Sequence, residues 1–256
     1  MNFQALIPDK SISLFVKNIW VFESDANDAT TSLPFFADGF PGLMFHQSEN
    51  GLTVKPHDKK MPEIFVYGQT INPIVLELSG SYFILVFQLY PFVLQTFFGI
   101  LPQSINDNCY YLDNADNKIT ALNLELISCK TVNEKIDIIS NLLLHYFETK
   151  KQNLDLEIRQ AIAEIIGAKG QVPIRAIAEK QKINLRTFER RFLKETGLSP
   201  KQFAQIMQFQ ASLEQLSIKN YTKLTDIVYE NGFADQSHFI KVFKAFTGKT
   251  PKKFSQ

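Results

Sequence analysis

Asn184-Leu-Arg-Thr-Phe-Glu-Arg-Arg-Phe192, followed by Thr196-Gly-Leu-Ser-Pro-Lys-Gln-Phe203, recurs 51 positions later as Asp235-Gln-Ser-His-Phe-Ile-Lys-Val-Phe243 and Thr247-Gly-Lys-Thr-Pro-Lys-Lys-Phe254. Residues 174–203 and 225–254 share eight identities at this offset: Glu179/Glu230, Phe188/Phe239, Phe192/Phe243, Thr196/Thr247, Gly197/Gly248, Pro200/Pro251, Lys201/Lys252 and Phe203/Phe254. Ile177/Val228, Asn184/Asp235, Arg190/Lys241 and Ser199/Thr250 keep their chemistry. One structural unit is used twice.

Each copy predicts two helices and a tight turn. In the first, Pro173 to Lys180 opens on a proline whose missing N–H costs nothing in a first turn. Asn184 then caps a second helix that Gly197 ends, a position tolerant of positive φ. In the second, the elements are Leu224 to Glu230, the turn Asn231-Gly232, the cap Asp235 and the stop Gly248. Leu185, Phe188 and Phe192 mark the buried face of one second helix, and Phe239, Val242, Phe243 and Phe246 that of the other. The solvent faces carry Arg186, Glu189, Arg190 and Leu193, then Ser237, Ile240, Lys241 and Lys244. Such rows suit a helix-turn-helix, whose second helix enters the major groove. A solvated charged face is the plain alternative; two copies in phase, with a basic residue repeated at Arg190/Lys241, favour DNA. Between the copies, Pro200 to Lys219 predicts a helix with Phe203, Ile206, Leu213 and Leu216 toward the core.

Charge distribution supports this. The 256 residues have a formal charge of +1, yet residues 1–154 hold 10 Lys, no Arg and 16 acidic groups, a balance of −6, and residues 155–256 sum to +7. All five arginines (Arg159, Arg175, Arg186, Arg190, Arg191) fall in the second part, and Arg is the side chain fitted to phosphates and guanines. The polar run Glu148-Thr-Lys-Lys-Gln-Asn-Leu154 lies at the sign change and sets the expected division: 1–150 and 155–256, with helix-turn-helix units at about 173–197 and 224–248. The fold class is α+β, a β-rich N-terminal domain with flanking helices before an all-α C-terminal domain.

In the first part, Ser13 to Glu23, Gly42 to His46, Glu63 to Tyr67 and Ile74 to Leu78 read as strands between Gly, Pro, Asn and Asp clusters. Leu78 to Asn106 carries no charge, but Pro91, Gln88 and Gln95 interrupt it and its flanks are Glu77 and Asp107, which opposes a membrane span. It reads instead as a buried strand, Tyr82 to Leu89, and a short helix with Pro91 in its first turn and Gly99 after its end. A further helix is expected over Asn133 to Glu148. His46, Glu49 and His57 match no metal spacing and read as surface or loop residues. No nucleophile elbow, phosphate loop or dinucleotide fingerprint occurs, so no catalytic residue, metal or cofactor is expected. Fourteen of the 23 Phe precede residue 150; they read mainly as core, and could also line a pocket for a small apolar ligand. Two cysteines, Cys109 and Cys129, without paired spacing suit a reducing compartment, and MNFQALIPDK lacks the pattern of a secretory signal, so a cytoplasmic location is expected.

These residues resemble the AraC/XylS family of bacterial transcription regulators. The resemblance runs from Asn184 through Phe203, resumes as Ile227-Val-Tyr-Glu-Asn-Gly-Phe233, and continues through Asp235-Gln-Ser-His-Phe239 to Phe254, covering about 155–256. It implies two helix-turn-helix units joined by a long helix, reading successive major grooves. The base readers it implies are Arg186, Glu189 and Arg190, then Gln236, Ser237, Ile240 and Lys241; Thr187, Lys194 and Lys244 complete the expected DNA-contacting set. Gln208 stands near where the family often has Arg, which removes one expected tether of the connecting helix. Ile240 and Lys241 replace more usual polar and Arg residues, so the first helix is expected to discriminate more. The N-terminal half resembles, through Leu33-Pro34, Asp38-Gly-Phe-Pro41, Tyr67-Gly-Gln69 and Tyr90-Pro-Phe92, a β-rich sensor domain found on such regulators. The resemblance thus implies double-stranded DNA as partner, with RNA polymerase, a small-molecule effector and a second copy of the chain as further candidates. Two other functions stay open. An enzyme fused to a DNA-binding tail, such as a DNA-repair alkyl transferase, needs a metal-bound cysteine cluster that Cys109 and Cys129 alone cannot form. A protein-interaction module would use the repeat to dock a partner helix.

Overall fold

A computed structural model describes residues 2–25, 30–112, 117–219 and 221–255. The chain begins with β1 (Asn2–Leu6), β2 (Val16–Ser24), β3 (Thr30–Phe35), β4 (Gly42–Ser48), β5 (Leu52–Lys55), β6 (Lys59–Met61), β7 (Ile64–Tyr67), β8 (Ile74–Ser79) and β9 (Tyr82–Leu89). Helix α1 (Val93–Phe98), a 3-10 turn (Pro102–Ile105) and β10 (Cys109–Tyr111) follow. The rest is helical: α2 (Asn117–Ser128), α3 (Val132–Lys150), α4 (Leu156–Gly167), α5 (Ile174–Lys180), α6 (Leu185–Thr196), α7 (Pro200–Ser217), α8 (Leu224–Glu230), α9 (Gln236–Thr247) and α10 (Pro251–Phe254).

The strands form two antiparallel sheets, one ordered β1-β2-β9-β4-β7-β10 and the other β3-β8-β5-β6. Alternation along a strand sends successive side chains to opposite faces. In β4, Met44 points to the layer between the sheets, where it joins Phe65, Ile84, Val86, Leu76 and Leu78. Its neighbours Leu43 and Phe45 point the other way, into a larger core with Leu85, Phe87, Phe97 and Leu143. Strands β4 and β9 are therefore covered on both faces, which explains the uninterrupted apolar run in Tyr82–Leu89. The helix after it ends as expected, with Gly99 left-handed at φ 67°.

The larger core does not stop at the sheet. It extends through Ile139 of α3 and Ile158 and Ile165 of α4 to Phe192, Phe203 and Phe243 of the helical half. Helix α3 starts on a capping box, Thr131 with Glu134, and ends at Lys150, from which a 3-10 turn (Lys151–Asn153) leads to Asp155, the cap of α4.

Several expectations are corrected. His46 is 2% exposed on β4 rather than at the surface: Nε2 lies 2.9 Å from Pro62 O and Nδ1 3.2 Å from Ser48 Oγ. Burial pushes its pKa down, outweighing the neighbouring Pro62 carbonyl and Glu63, which favour the proton. His57 is exposed, as expected. Leu185 is 40% exposed instead of buried, because it opens α6 before the helix reaches the core. Pro173 sits at the cap of α5, one residue earlier than a first-turn position.

Candidate nucleic-acid interface

The repeat seen in the residues is repeated in their contacts. Asn184 accepts from Thr187 N at 2.9 Å to start α6, and Asp235 accepts from His238 N at 2.7 Å to start α9. The rings of Phe188 and Phe192 lie 5.8 Å apart, and those of Phe239 and Phe243 5.6 Å. Phe192 meets Phe203 edge to face at 5.6 Å, and Phe243 meets Phe254 in the same way at 5.4 Å. Thr196 donates to Phe192 O at 2.9 Å and accepts from Leu198 N, while Thr247 donates to Phe243 O at 2.8 Å and accepts from Lys249 N. The identical Phe, Thr and Gly pairs thus hold each second helix by one side and release it at a left-handed glycine, Gly197 or Gly248.

What that packing leaves outside is the candidate reading surface. On α6, Arg186, Glu189, Arg190 and Lys194 are exposed and Thr187 is half-buried; Arg186, Thr187 and Arg190 border one shallow concavity. On α9, Gln236, Ser237, Lys241 and Lys244 are exposed. Ile240 is half-buried, as is Leu193 on α6, so each contributes only part of its surface to the outer face. Arg186, Arg190, Lys241 and Lys244 have no ion-pair partner among the described residues. Three other arginines are committed elsewhere: Arg175 pairs with Glu179 at 3.1 Å, Arg191 with Asp155 and Glu157, and Arg159 lies over the Phe92 ring at 5.9 Å.

Helix α7 joins the two units. It begins on Ser199, whose hydroxyl accepts from Gln202 N, with Pro200 in the first turn. Gln208, which stands near where the resemblance implies an Arg, tethers this helix, donating to Gly232 O at 3.5 Å in the second turn. Gln171, which carried no signal in the sequence, donates to Glu230 O at 2.8 Å beside the same turn.

The N-terminal half holds a cavity of about 310 Å³ between the two sheets, with Phe35, Met44, Met61, Phe65, Ile74 and Leu76 among its walls. One end is polar, with Lys59, Asp107, Asn108 and Cys109; Lys59 Nζ donates to Asn108 Oδ1 at 2.7 Å. Among the described residues no group of three His, Cys, Asp or Glu could hold a metal ion, and no helix is long and apolar enough to cross a membrane.

Comparison with known proteins agrees with this geometry. Residues 177–256 match the family described as Helix-turn-helix domain, and residues 4–110 match a Domain of unknown function (DUF6597). The HTH-type transcriptional activator RhaS of Escherichia coli (strain SE11) is 30% identical over 81 residues, which are 32% of this chain and 29% of RhaS. The chain thus spans less than a third of the length of the curated relatives it matches. Among solved structures, ToxT from Vibrio cholerae aligns with 100% of this chain and 98% of its own, at 15% identity and a TM-score of 0.48. The DNA-binding domain of AdpA, solved in complex with a target DNA, aligns with 39% of this chain and 89% of its own, at 20% identity and a TM-score of 0.36. Residues 177–256 thus carry a helix-turn-helix domain, and they follow in the chain a domain, residues 4–110, whose family has no assigned function.

Proposed function

We propose that this chain is a sequence-specific, DNA-binding transcription regulator, working in the cytoplasm, in which residues 155–256 read double-stranded DNA and residues 1–150 sense a small molecule. The observation that carries the reading is the paired exposure of Arg186 and Arg190 on α6 and Lys241 and Lys244 on α9, all without ion-pair partners among the described residues, on helices anchored by the same contacts. Arg186 and Arg190 are placed as the base readers of the first groove, beside Thr187 and Glu189. Gln236, Ser237 and Lys241 serve the second, where half-buried Ile240 offers an apolar edge to a thymine methyl. Lys194 and Lys244, further along each helix, meet phosphates, which fix register without reading sequence. RNA polymerase and a second copy of the chain are the macromolecular partners this activity calls for.

The test uses the full chain: enrichment of a preferred duplex from a random pool, then titration of its affinity against salt. Each neutralised phosphate contributes about −0.9 to the slope of log K against log salt. A steep negative slope with an enriched site is expected. A flat slope, or a pool that never converges, overturns the proposal.

A further inference from the structure

The loop from Ile105 to Cys109 has two sides. Asp107, Asn108 and Cys109 form the polar end of the cavity between the sheets. Their neighbour Asn106 turns the other way and donates from Nδ2 to Gly197 O at 2.8 Å, the carbonyl of the residue that ends α6. The strand end beside it alternates likewise. Gly68 and Thr70 line the cavity, and the fully buried Gln69 between them donates to Gly39 O at 3.0 Å and to Thr196 O at 3.5 Å.

The two segments are locked together. Gly68 N donates to Asn108 O at 3.0 Å and Asp107 N to Gln69 O at 2.8 Å. The Asp107 carboxylate accepts from Ile71 N, Asn72 N and Asn72 Nδ2 at 2.6 to 2.9 Å. A Cβ on Gly68 would lie 2.1 Å from Ile105 O, so the two backbones leave no slack. A displacement on the cavity side of this clamp therefore moves Asn106 and Gln69 together. The contact with α6 is also incompletely satisfied: Gln69 Oε1 and Asn106 Oδ1 are buried and find no hydrogen-bond partner among the described residues, so separation lets both reach water.

We infer that the cavity between the sheets admits a small apolar molecule and that the clamp formed by residues 68–72 and 105–109 transmits its presence to the C-terminal end of the first recognition helix, loosening the hold of Asn106 and Gln69 on α6. This rests on the proposed sensing role of the N-terminal half and adds its route. Asn106 is a positioning residue: it touches neither the cavity nor DNA, and ligand and helix are coupled through it together with Gln69.

Cys109 makes the cavity addressable without knowledge of the natural ligand. In a Cys129→Ser background, benzyl methanethiosulfonate transfers its benzylthio group to the Cys109 thiolate, forming a mixed disulfide and releasing methanesulfinate. Two readouts follow: amide hydrogen exchange over residues 193–199, and affinity for the enriched duplex. Labelling is expected to speed exchange at 196–199 and to change the duplex Kd by about fivefold or more, the low end of allosteric couplings. With Asn106→Ala added, labelling should proceed equally and both changes should be smaller, Gln69 carrying the remainder. A thiol that refuses the reagent, unchanged exchange on complete labelling, or an effect undiminished by Asn106→Ala overturns the inference. The exchange readout needs no DNA, so a chain that binds no duplex would sink the regulator reading while the coupling is still decided.

Discussion

Arg191 grips Asp155 with both arms of its guanidinium, Nη2 to Oδ1 at 2.5 Å and Nε to Oδ2 at 2.8 Å. The pair ties the middle of α6 to the cap of α4, because Asp155 also accepts from Ile158 N at 3.1 Å. Burial pushes the Asp155 pKa up, but the Arg191 guanidinium and the Ile158 N–H outweigh it and leave the carboxyl below its ordinary value.

Loss of Asp155 removes the cap and the fork together, whereas loss of Arg191 removes the fork and the half-exposed contact with Glu157 but leaves the cap. Asp155→Ala is expected to lower stability by about 1 kcal/mol more than Arg191→Ala, the usual worth of a cap. Equal denaturant midpoints for the two variants would contradict this.

The two stop glycines offer an internal comparison. Gly197 and Gly248 share a left-handed backbone, φ 77° and 72°, but a Cβ on Gly197 would meet Pro102 and Asn106 at 3.0 Å, while one on Gly248 meets only Pro73 at 3.9 Å. Gly248→Ala should cost about 1 to 2 kcal/mol, the left-handed penalty alone. Gly197→Ala should cost more, since Pro102 and Asn106 must give way. Thermal unfolding of both variants provides the check.

Arg190 and Lys241 occupy the same place in the two copies. Arg190→Ala is expected to lose about 1 to 3 kcal/mol on the preferred duplex and to relax selection at one base pair. Lys241→Ala should weaken binding with less change in selectivity, since an ammonium lacks the two-armed geometry of guanidinium. Selection of duplexes by each variant separates them; uniform weakening by Arg190→Ala on every sequence would reassign Arg190 to phosphate.

Asp38 links stability to pH. Its carboxyl, desolvated by its surroundings although the residue keeps some accessible surface, has its pKa raised to about 6, against the lowering pull of Phe40 N and the Gln88 amide. The folded protein then binds this proton more tightly than the unfolded chain. The contribution is complete below pH 3.8, the ordinary value, and is lost as pH rises through about 6. Between pH 4 and 6.5 the unfolding temperature should therefore fall relative to that of Asp38→Asn. Parallel curves for the two proteins would contradict this.

The helical half was readable because its signals are local. Asn184, Asp235, Gly197 and Gly248 act within a few residues of themselves, and the phenylalanines recur at the helical period. The same reading missed β1, whose five residues are almost wholly exposed and show no alternation of burial, β6 and β10, three residues each, and also β3 and β5. It failed at His46, since nothing near it in the chain announces that β4 lies in the middle of the six-stranded sheet. The cavity depended on side chains from seven strands, and the two sides of the loop at Asn106 on a contact 91 residues away. The exposed faces of α6 and α9, by contrast, required only the knowledge of which face Phe188 and Phe239 bury, while the expected base readers on them were implied by the family resemblance.

The larger core runs without a break from Phe15 beneath the sheet to Phe243 on the buried face of α9. Its seam is closed by Phe36 against Phe254 at 5.7 Å and by Gly39, where any Cβ would collide with Met207. Neither half has a complete interior of its own at this seam. The chain should accordingly melt in one calorimetric transition, its van't Hoff and calorimetric enthalpies equal, and a cut near residue 154 should yield fragments that aggregate rather than two independent domains.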